Sequence, residues 1–221
     1  MQNWIFEIRS RPFVLLIAAF ILVSLLVLFE VTKEFDQVIS DYFHSISGNL
    51  ALDLFMESVT EVGDVFYMLI FSITLIIIRR TRKIGIALMI LLVLSTLITG
   101  YVKCGVDRDR PELEFSGNPF VLDLSSDTFS LFCEGGFNAS YPSGHVGRAT
   151  VFGVILAFVL SERFPRGCYL LLLYPILMSI SRMYLMEHYP MDVIGAGILG
   201  ILLAGVMGQK TKLYSIFKSK T

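Results

Sequence analysis

Charge is scarce in this chain of 221 residues. Asp, Glu, Lys and Arg make up 17% of it, against about a quarter in soluble domains. That shortage excludes a disordered tail and a free nucleic-acid binder, both of which depend on charge. Cysteine is equally sparse, at three residues, which excludes a small disulfide scaffold. There is no internal repeat and no low-complexity tract. Apolar residues are abundant instead. Hydrophobic side chains account for 55% of the chain, and its mean hydropathy is +0.71. A soluble domain of this size needs a polar surface that such a composition does not supply. The chain therefore reads as an integral membrane protein.

A bilayer core about 30 Å thick is crossed by roughly 20 mainly apolar helical residues. The first candidate span is Pro12 to Phe29, and the charged segment after it marks a retained anchor rather than a cleaved signal. Val65 to Ile78 is the second and is short. It crosses only by borrowing residues from before Asp64 or by thinning the bilayer. Ile84 to Tyr101, Val146 to Leu160, Cys168 to Ile180 and Val193 to Gly208 complete a set of six. The expected fold is all-α, a single membrane-embedded domain over 1–221.

The net charge of −1 hides a strong asymmetry. With six spans, one side holds Arg9, Arg11, Arg79, Arg80, Arg82, Lys83, Arg163, Arg166 and four C-terminal lysines. Those are twelve of the 18 basic residues, against two acids, Glu7 and Glu162. Basic loops face the cytoplasm, so both termini are expected there. The opposite side carries Lys103, Arg108, Arg110, Arg148 and Arg182 at helix ends. Positive-inside bias removes such residues from outer loops, so an anionic ligand is the natural reason for them.

Three further patterns organise the chain. Phe35, Val38, Ile39, Tyr42, Phe43 and Ile46 follow the spacing of one helical face. Asp36, Ser40, Asp41 and His44 fall elsewhere, as in an amphipathic helix at the outer interface. Ala196, Gly200, Ala204 and Gly208 form a small-residue stripe that permits close packing, within the monomer in preference to a dimer. Pro175 is expected to kink the fifth span.

The unusual residues fall in three outer segments: Lys103 to Pro111, Pro142-Ser143-Gly144-His145, and Ser181-Arg182 followed by His188 and Asp192. Phosphoryl transfer needs positive charge on the equatorial oxygens and an in-line nucleophile. Lys103, Arg110 and Arg182 can supply the charge, the arginines as planar forks. Ser143 and the backbone N–H of Gly144 stand where the fourth span begins, and helix N-termini favour anions. His188 and Asp192 are four apart, on one helical face. The carboxylate can hold one ring nitrogen protonated and free the other for attack.

These segments resemble the three signature motifs K-x6-R-P, P-S-G-H and S-R-x5-H-x3-D of the type 2 phosphatidic acid phosphatases. Eleven specified positions match in order, and the resemblance covers roughly residues 50 to 208. It implies that His188 is the nucleophile and forms a phosphohistidine. It implies that His145 protonates the leaving group and then activates water. Asp192 orients His188, and no metal or other cofactor is expected. Arg108 and Arg148 are candidate contacts to a second phosphate, although Arg148 can equally snorkel to the interface. Two positions depart from the family pattern: Met186 stands where glycine is common, and Glu187 directly precedes His188. Glu187 favours the imidazolium form of its neighbour, or turns away toward a headgroup or Arg148.

The partners expected are membrane lipid and a lipid phosphate substrate, with no nucleic acid. A polyprenyl diphosphate is favoured, with phosphatidic acid, phosphatidylglycerol phosphate or lipid A as alternatives. A lipid-phosphate binding or flipping protein without catalysis is the reading from another class. Cys104 and Cys133 share the outer side, as a disulfide or as free thiols, and Asn138-Ala139-Ser140 is a glycosylation sequon there.

Overall fold

The computed structural model describes residues 7–113, 115, 139–161 and 164–211. Among the described residues every regular element is helical: α1 (Arg11–Leu28), α2 (Lys33–Ile46), α3 (Leu50–Val62), α4 (Val65–Ile77), α5 (Arg82–Val106), α6 (Gly144–Ser161), α7 (Leu173–Tyr184) and α8 (Pro190–Lys210). A 3-10 turn, Gly167–Leu172, runs directly into α7. Five of these units are long and apolar enough to cross a membrane: α1, α5, α6, the 3-10 turn with α7, and α8. The sixth candidate is the short segment Val65 to Ile78 with residues borrowed from before Asp64. It is α3 and α4 together, bent by 52°.

The bend has a local cause. Gly63 ends α3, and a side chain there would collide with Met178 of α7. Asp64 then caps α4 by accepting the Phe66 N–H at 2.7 Å. The fifth span differs from expectation. Pro175 stands in the first turn of α7, where its missing N–H costs nothing. The departure from α geometry lies ahead of it, in the 3-10 turn.

The core is built around α6 and α8, the most extensively packed pair. Close approach is possible because a Cβ on Gly200 would meet Thr150 and the Gly147 carbonyl of α6 at 2.6 and 2.8 Å. The small-residue stripe thus faces α6 within the monomer. Successive spans are antiparallel. The C-terminal ends of α5 and α7 therefore meet the N-terminal ends of α6 and α8. At the other end, the Ile8 N–H donates to Gln209 at 2.8 Å and ties the segment before α1 to the last turn of α8.

In α2 the burial pattern is the reverse of a soluble helix. Asp36 and Ser40 are buried, while Phe35, Val38 and Tyr42 face outward. An outward apolar face suits a helix lying on lipid. Its polar face is left free to bond inside the protein.

Gly200→Ala is expected to destabilise the protein by about 1–3 kcal/mol through overpacking. Gly197→Ala has nothing within 4 Å, so it is expected to be neutral or to stabilise by up to about 1 kcal/mol. Thermal unfolding of both variants in one detergent checks this, and equal shifts would contradict the packing assignment.

Candidate functional site

The three motif segments meet at the end shared by α5, α6, α7 and α8. Lys103 is buried in the last turn of α5. Asp107 then takes the left-handed conformation as the C-cap, with φ of 45°, which short polar side chains tolerate. The chain reverses there and carries Arg108 and Arg110 back over the helix ends. The reversed segment is strapped to the second motif. The Ser140 N–H donates to the Arg108 carbonyl at 2.7 Å, and the Ser140 hydroxyl to the Asp109 carbonyl at 2.9 Å.

Tyr141 is fully buried, and its hydroxyl pairs with Ser24 of α1 at 2.8 Å. Ser143 follows, its N–H donating to the Asp192 carbonyl of α8 at 3.3 Å. That bond places the start of α6 beside the start of α8. The Ser143 hydroxyl is buried with no hydrogen-bond partner among the described residues. Gly144 opens α6, and a Cβ on it would lie 3.1 Å from the Arg148 guanidinium. Arg148 is therefore folded back over the turn rather than reaching away to the interface. His145 is half-buried and within electrostatic reach of Arg182, Arg148, His188 and Lys103.

The third motif is held from beneath by α3. The Ser181 hydroxyl donates to the Met56 carbonyl at 2.6 Å and pairs with Thr60. Tyr184 donates to the Asp53 carboxylate. After α7 the Met186 N–H returns to the Met183 carbonyl and the Glu187 N–H to the Arg182 carbonyl, both at 3.1 Å. This is a Schellman turn, whose penultimate residue must be left-handed. Met186 has a φ of 56°, so the position where the family pattern favours glycine does demand a glycine-like backbone.

The turn delivers Glu187 and His188. Glu187 Oε2 accepts from Arg110 Nη1 and lies 3.3 Å from Arg182 Nη2. His188 is buried, with Nδ1 3.7 Å from Asp192 Oδ2. That is longer than a hydrogen bond, and His188 Nδ1 has no hydrogen-bond partner among the described residues. Burial pushes the His188 imidazole down, to about 4. Asp192 pulls it up and Arg182 pushes it further down, and burial outweighs both. His188 is therefore neutral at pH 7.

Asp192 is itself locked in place. Its Oδ2 accepts the Tyr189 N–H at 2.8 Å, closing a capping box on α8. Its Oδ1 accepts Arg108 Nη1 at 2.7 Å. The other arm of Arg108, Nη2, donates to Asp36 Oδ2 of α2, also at 2.7 Å. Asp36 further accepts from Thr32 and from the Met191 N–H. Asp36 and Asp192 are both 0% exposed. The guanidinium between them stacks on the Tyr189 ring at 4.2 Å. Sequence reasoning missed Asp36. Its one signal was a charged residue opposite the apolar face of an amphipathic helix.

Beside this cluster lies a polar cavity of about 190 Å³, lined by Glu30, Lys33, Gln37, Arg108, Arg110, Glu112 and Tyr189 among others. Cys104 is disulfide-bonded and Cys168 is free. Cys133 and Asn138 lie outside the described residues, so the disulfide pairing and the sequon have no structural account.

Comparison with known proteins adds to this geometry. A family model described as the PAP2 superfamily matches residues 84–212, more than half of the chain. An undecaprenyl-diphosphatase of Sulfolobus acidocaldarius is 28% identical over 146 residues, 66% of this chain and 64% of that protein. Undecaprenyl-diphosphatase BcrC of Bacillus subtilis is 28% identical over 168 residues, covering 74% of this chain and 79% of that protein. Among solved structures, the chain superposes on a transmembrane PAP2 type phosphatidylglycerolphosphate phosphatase from Bacillus subtilis with a TM-score of 0.71. The identity is 21%, covering 96% of this chain and 100% of that one. Aquifex aeolicus LpxE gives a TM-score of 0.57 at 23% identity, covering 79% and 95%. The two structures share the fold.

Arg108→Met leaves two fully buried carboxylates without their common cation, and is expected to cost about 3–5 kcal/mol. Asp36→Asn leaves the Arg108–Asp192 pair intact and is expected to cost less. Thermal unfolding of the two variants checks the order, and the reverse order would contradict the bridging role of Arg108.

Proposed function

The chain belongs to the PAP2 superfamily, and from that premise we propose that it is an integral membrane lipid phosphatase. It hydrolyses a lipid phosphomonoester or diphosphate through a phosphohistidine on His188. The observation that carries this reading is the neutral, buried His188 backed by Asp192 and flanked by Arg110 and Arg182 through Glu187.

A phosphate entering the site meets Arg110, Arg182 and Lys103, with the Gly144 N–H and the Ser143 hydroxyl at the mouth of α6. The Asp192 carboxylate faces His188 Nδ1 at 3.7 Å and its charge favours the proton on that nitrogen, so the lone pair on Nε2 attacks phosphorus. His145, from the adjacent helix start, gives a proton to the departing lipid oxygen. It then takes one from the water that releases phosphate from His188. Arg108 has a positioning role in this scheme. Its two arms hold Asp192 and Asp36, so the second-phosphate role passes to Arg148, which packs against Gly144.

The substrate we favour is a polyprenyl diphosphate. Support comes from the two undecaprenyl-diphosphatases and from Arg148 beside the first phosphate position. The chain matches just under two thirds of the length of the Sulfolobus protein. The site lies on the outer face, with both termini cytoplasmic. The basic residues Arg79, Arg80, Arg82, Lys83, Arg166 and Lys210 fall at the opposite helix ends. The chemistry uses no metal.

Purified protein given a panel of polyprenyl diphosphate, phosphatidic acid and phosphatidylglycerol phosphate, with chelator present, is expected to release phosphate, fastest from the first. His188→Ala is expected to abolish release and His145→Ala to slow it by about 10²–10⁴-fold. No release from any lipid would sink the phosphatase reading, and release persisting in His188→Ala would sink the mechanism. The pH profile gives a further check. Because His188 is held near 4, its neutral form persists as pH falls from 7 and is half lost only near pH 4. An acid limb belonging to His188 near its ordinary value of about 6.5 would contradict its burial in the working enzyme.

A further inference from the structure

Glu187 departs from a role in catalysis and from an ordinary surface ion pair. Its carboxylate sits between Arg110 and Arg182, the two guanidinium groups that the proposed function assigns to phosphate. Carboxylate and phosphate oxygens are interchangeable partners for such forks. The Schellman turn through Met186 directs the side chain there, since the Glu187 N–H is tied to the carbonyl of Arg182 itself. Unlike Asp36 and Asp192, which are sealed in, Glu187 keeps 33% of its side chain exposed. It has solvent to move into, and the buried pair do not.

The charge state is consistent with an anionic occupant. Burial pushes the Glu187 carboxyl up, and Arg182 and Arg110 pull it below its ordinary value, with His188 and Lys103 adding to the pull. It is ionised at pH 7, where a terminal phosphate carries about −1.5 to −2.

We infer that Glu187 is a displaceable internal ligand of the phosphate site, standing in for phosphate until a more highly charged group replaces it. This rests on the assignment of Arg110 and Arg182 to phosphate. A terminal phosphate carries about −1.5 to −2 at pH 7 and outcompetes a carboxylate of −1. A phosphodiester headgroup carries only −1 and gains nothing by the exchange. Glu187 therefore selects terminal phosphates over diesters, in a membrane where diester lipids are the abundant competitor.

The test is calorimetric titration of the full-length protein in detergent, with inorganic phosphate and with dimethyl phosphate as the diester probe. An occupant that fills the site about 80–90% of the time weakens apparent affinity by about 5- to 10-fold. Glu187→Gln and Glu187→Ala are each expected to bind phosphate tighter by that factor and to show measurable binding of dimethyl phosphate. Damage to the fold weakens binding, so a gain cannot arise from it. Unchanged or weaker phosphate binding in both variants overturns the inference. Arg182→Ala separates the two levels. If it abolishes phosphate binding while the Glu187 variants show no gain, the inference alone fails. If it binds phosphate like the wild type, the arginine assignment fails and takes the inference with it.

Discussion

One guanidinium, that of Arg108, joins three parts of the molecule that are far apart in sequence. It reaches Asp36 on α2, Asp192 on α8 and the face of Tyr189 between them. Two carboxylates at 0% exposure are tenable only with a countercharge and with their remaining lone pairs filled. Both conditions are met. Asp36 accepts from Thr32 and the Met191 N–H, and Asp192 from the Tyr189 N–H. Once Arg108 and Tyr189 have fixed Asp192, its Oδ2 faces His188. The order of dependence runs inward. α2, with its apolar face outward, presents Asp36, Asp36 holds Arg108, and Arg108 holds the group that faces the proposed nucleophile. Asp36 lies outside the residues matched by the superfamily model.

A concentration of positive charge at helix ends needs an answer when no substrate is present. Lys103, Arg110, Arg148 and Arg182 gather around the start of α6, which adds the positive end of a helix dipole. Part of the answer is Glu187, placed between two of the arginines. Burial of His188 as a neutral ring is another part, since it adds no further positive charge. The positive charge of the cluster is thus met in part by a carboxylate and not increased by the buried ring.

Much of this was readable in the sequence. The spacing of Lys103, Arg110, Ser143, Gly144, His145, Arg182, His188 and Asp192 pointed to one shared cluster, and the structure brings these residues together at one end of the helices. The amphipathic pattern of 35–46 marked α2, and the stripe from Ala196 to Gly208 marked the α6 contact. What could not be read depended on contacts distant in sequence or on backbone angles. Asp36 and Asp192 share an arginine across more than 150 residues, and no local period records that. Arg108 looked available for substrate because its two carboxylate partners lay elsewhere in the chain. The second span was legible as too short alone and in need of residues from before Asp64; what the sequence did not show is that Gly63 and Asp64 are a C-cap and an N-cap that join α3 to α4 at a bend. Met186 looked like a loss of glycine. Its left-handed backbone shows that the turn persists with a methionine in place.

The central claim is that the chain of contacts from α2 ends on a histidine that becomes phosphorylated. It is tested most directly by mixing the protein with its lipid phosphate, quenching in alkali to preserve phosphohistidine, and locating the adduct by peptide mass spectrometry. The account predicts a phosphate on the peptide that carries His188, and none on the corresponding peptide of His188→Ala. A phosphate on His145, or turnover with no adduct on any histidine, would contradict it.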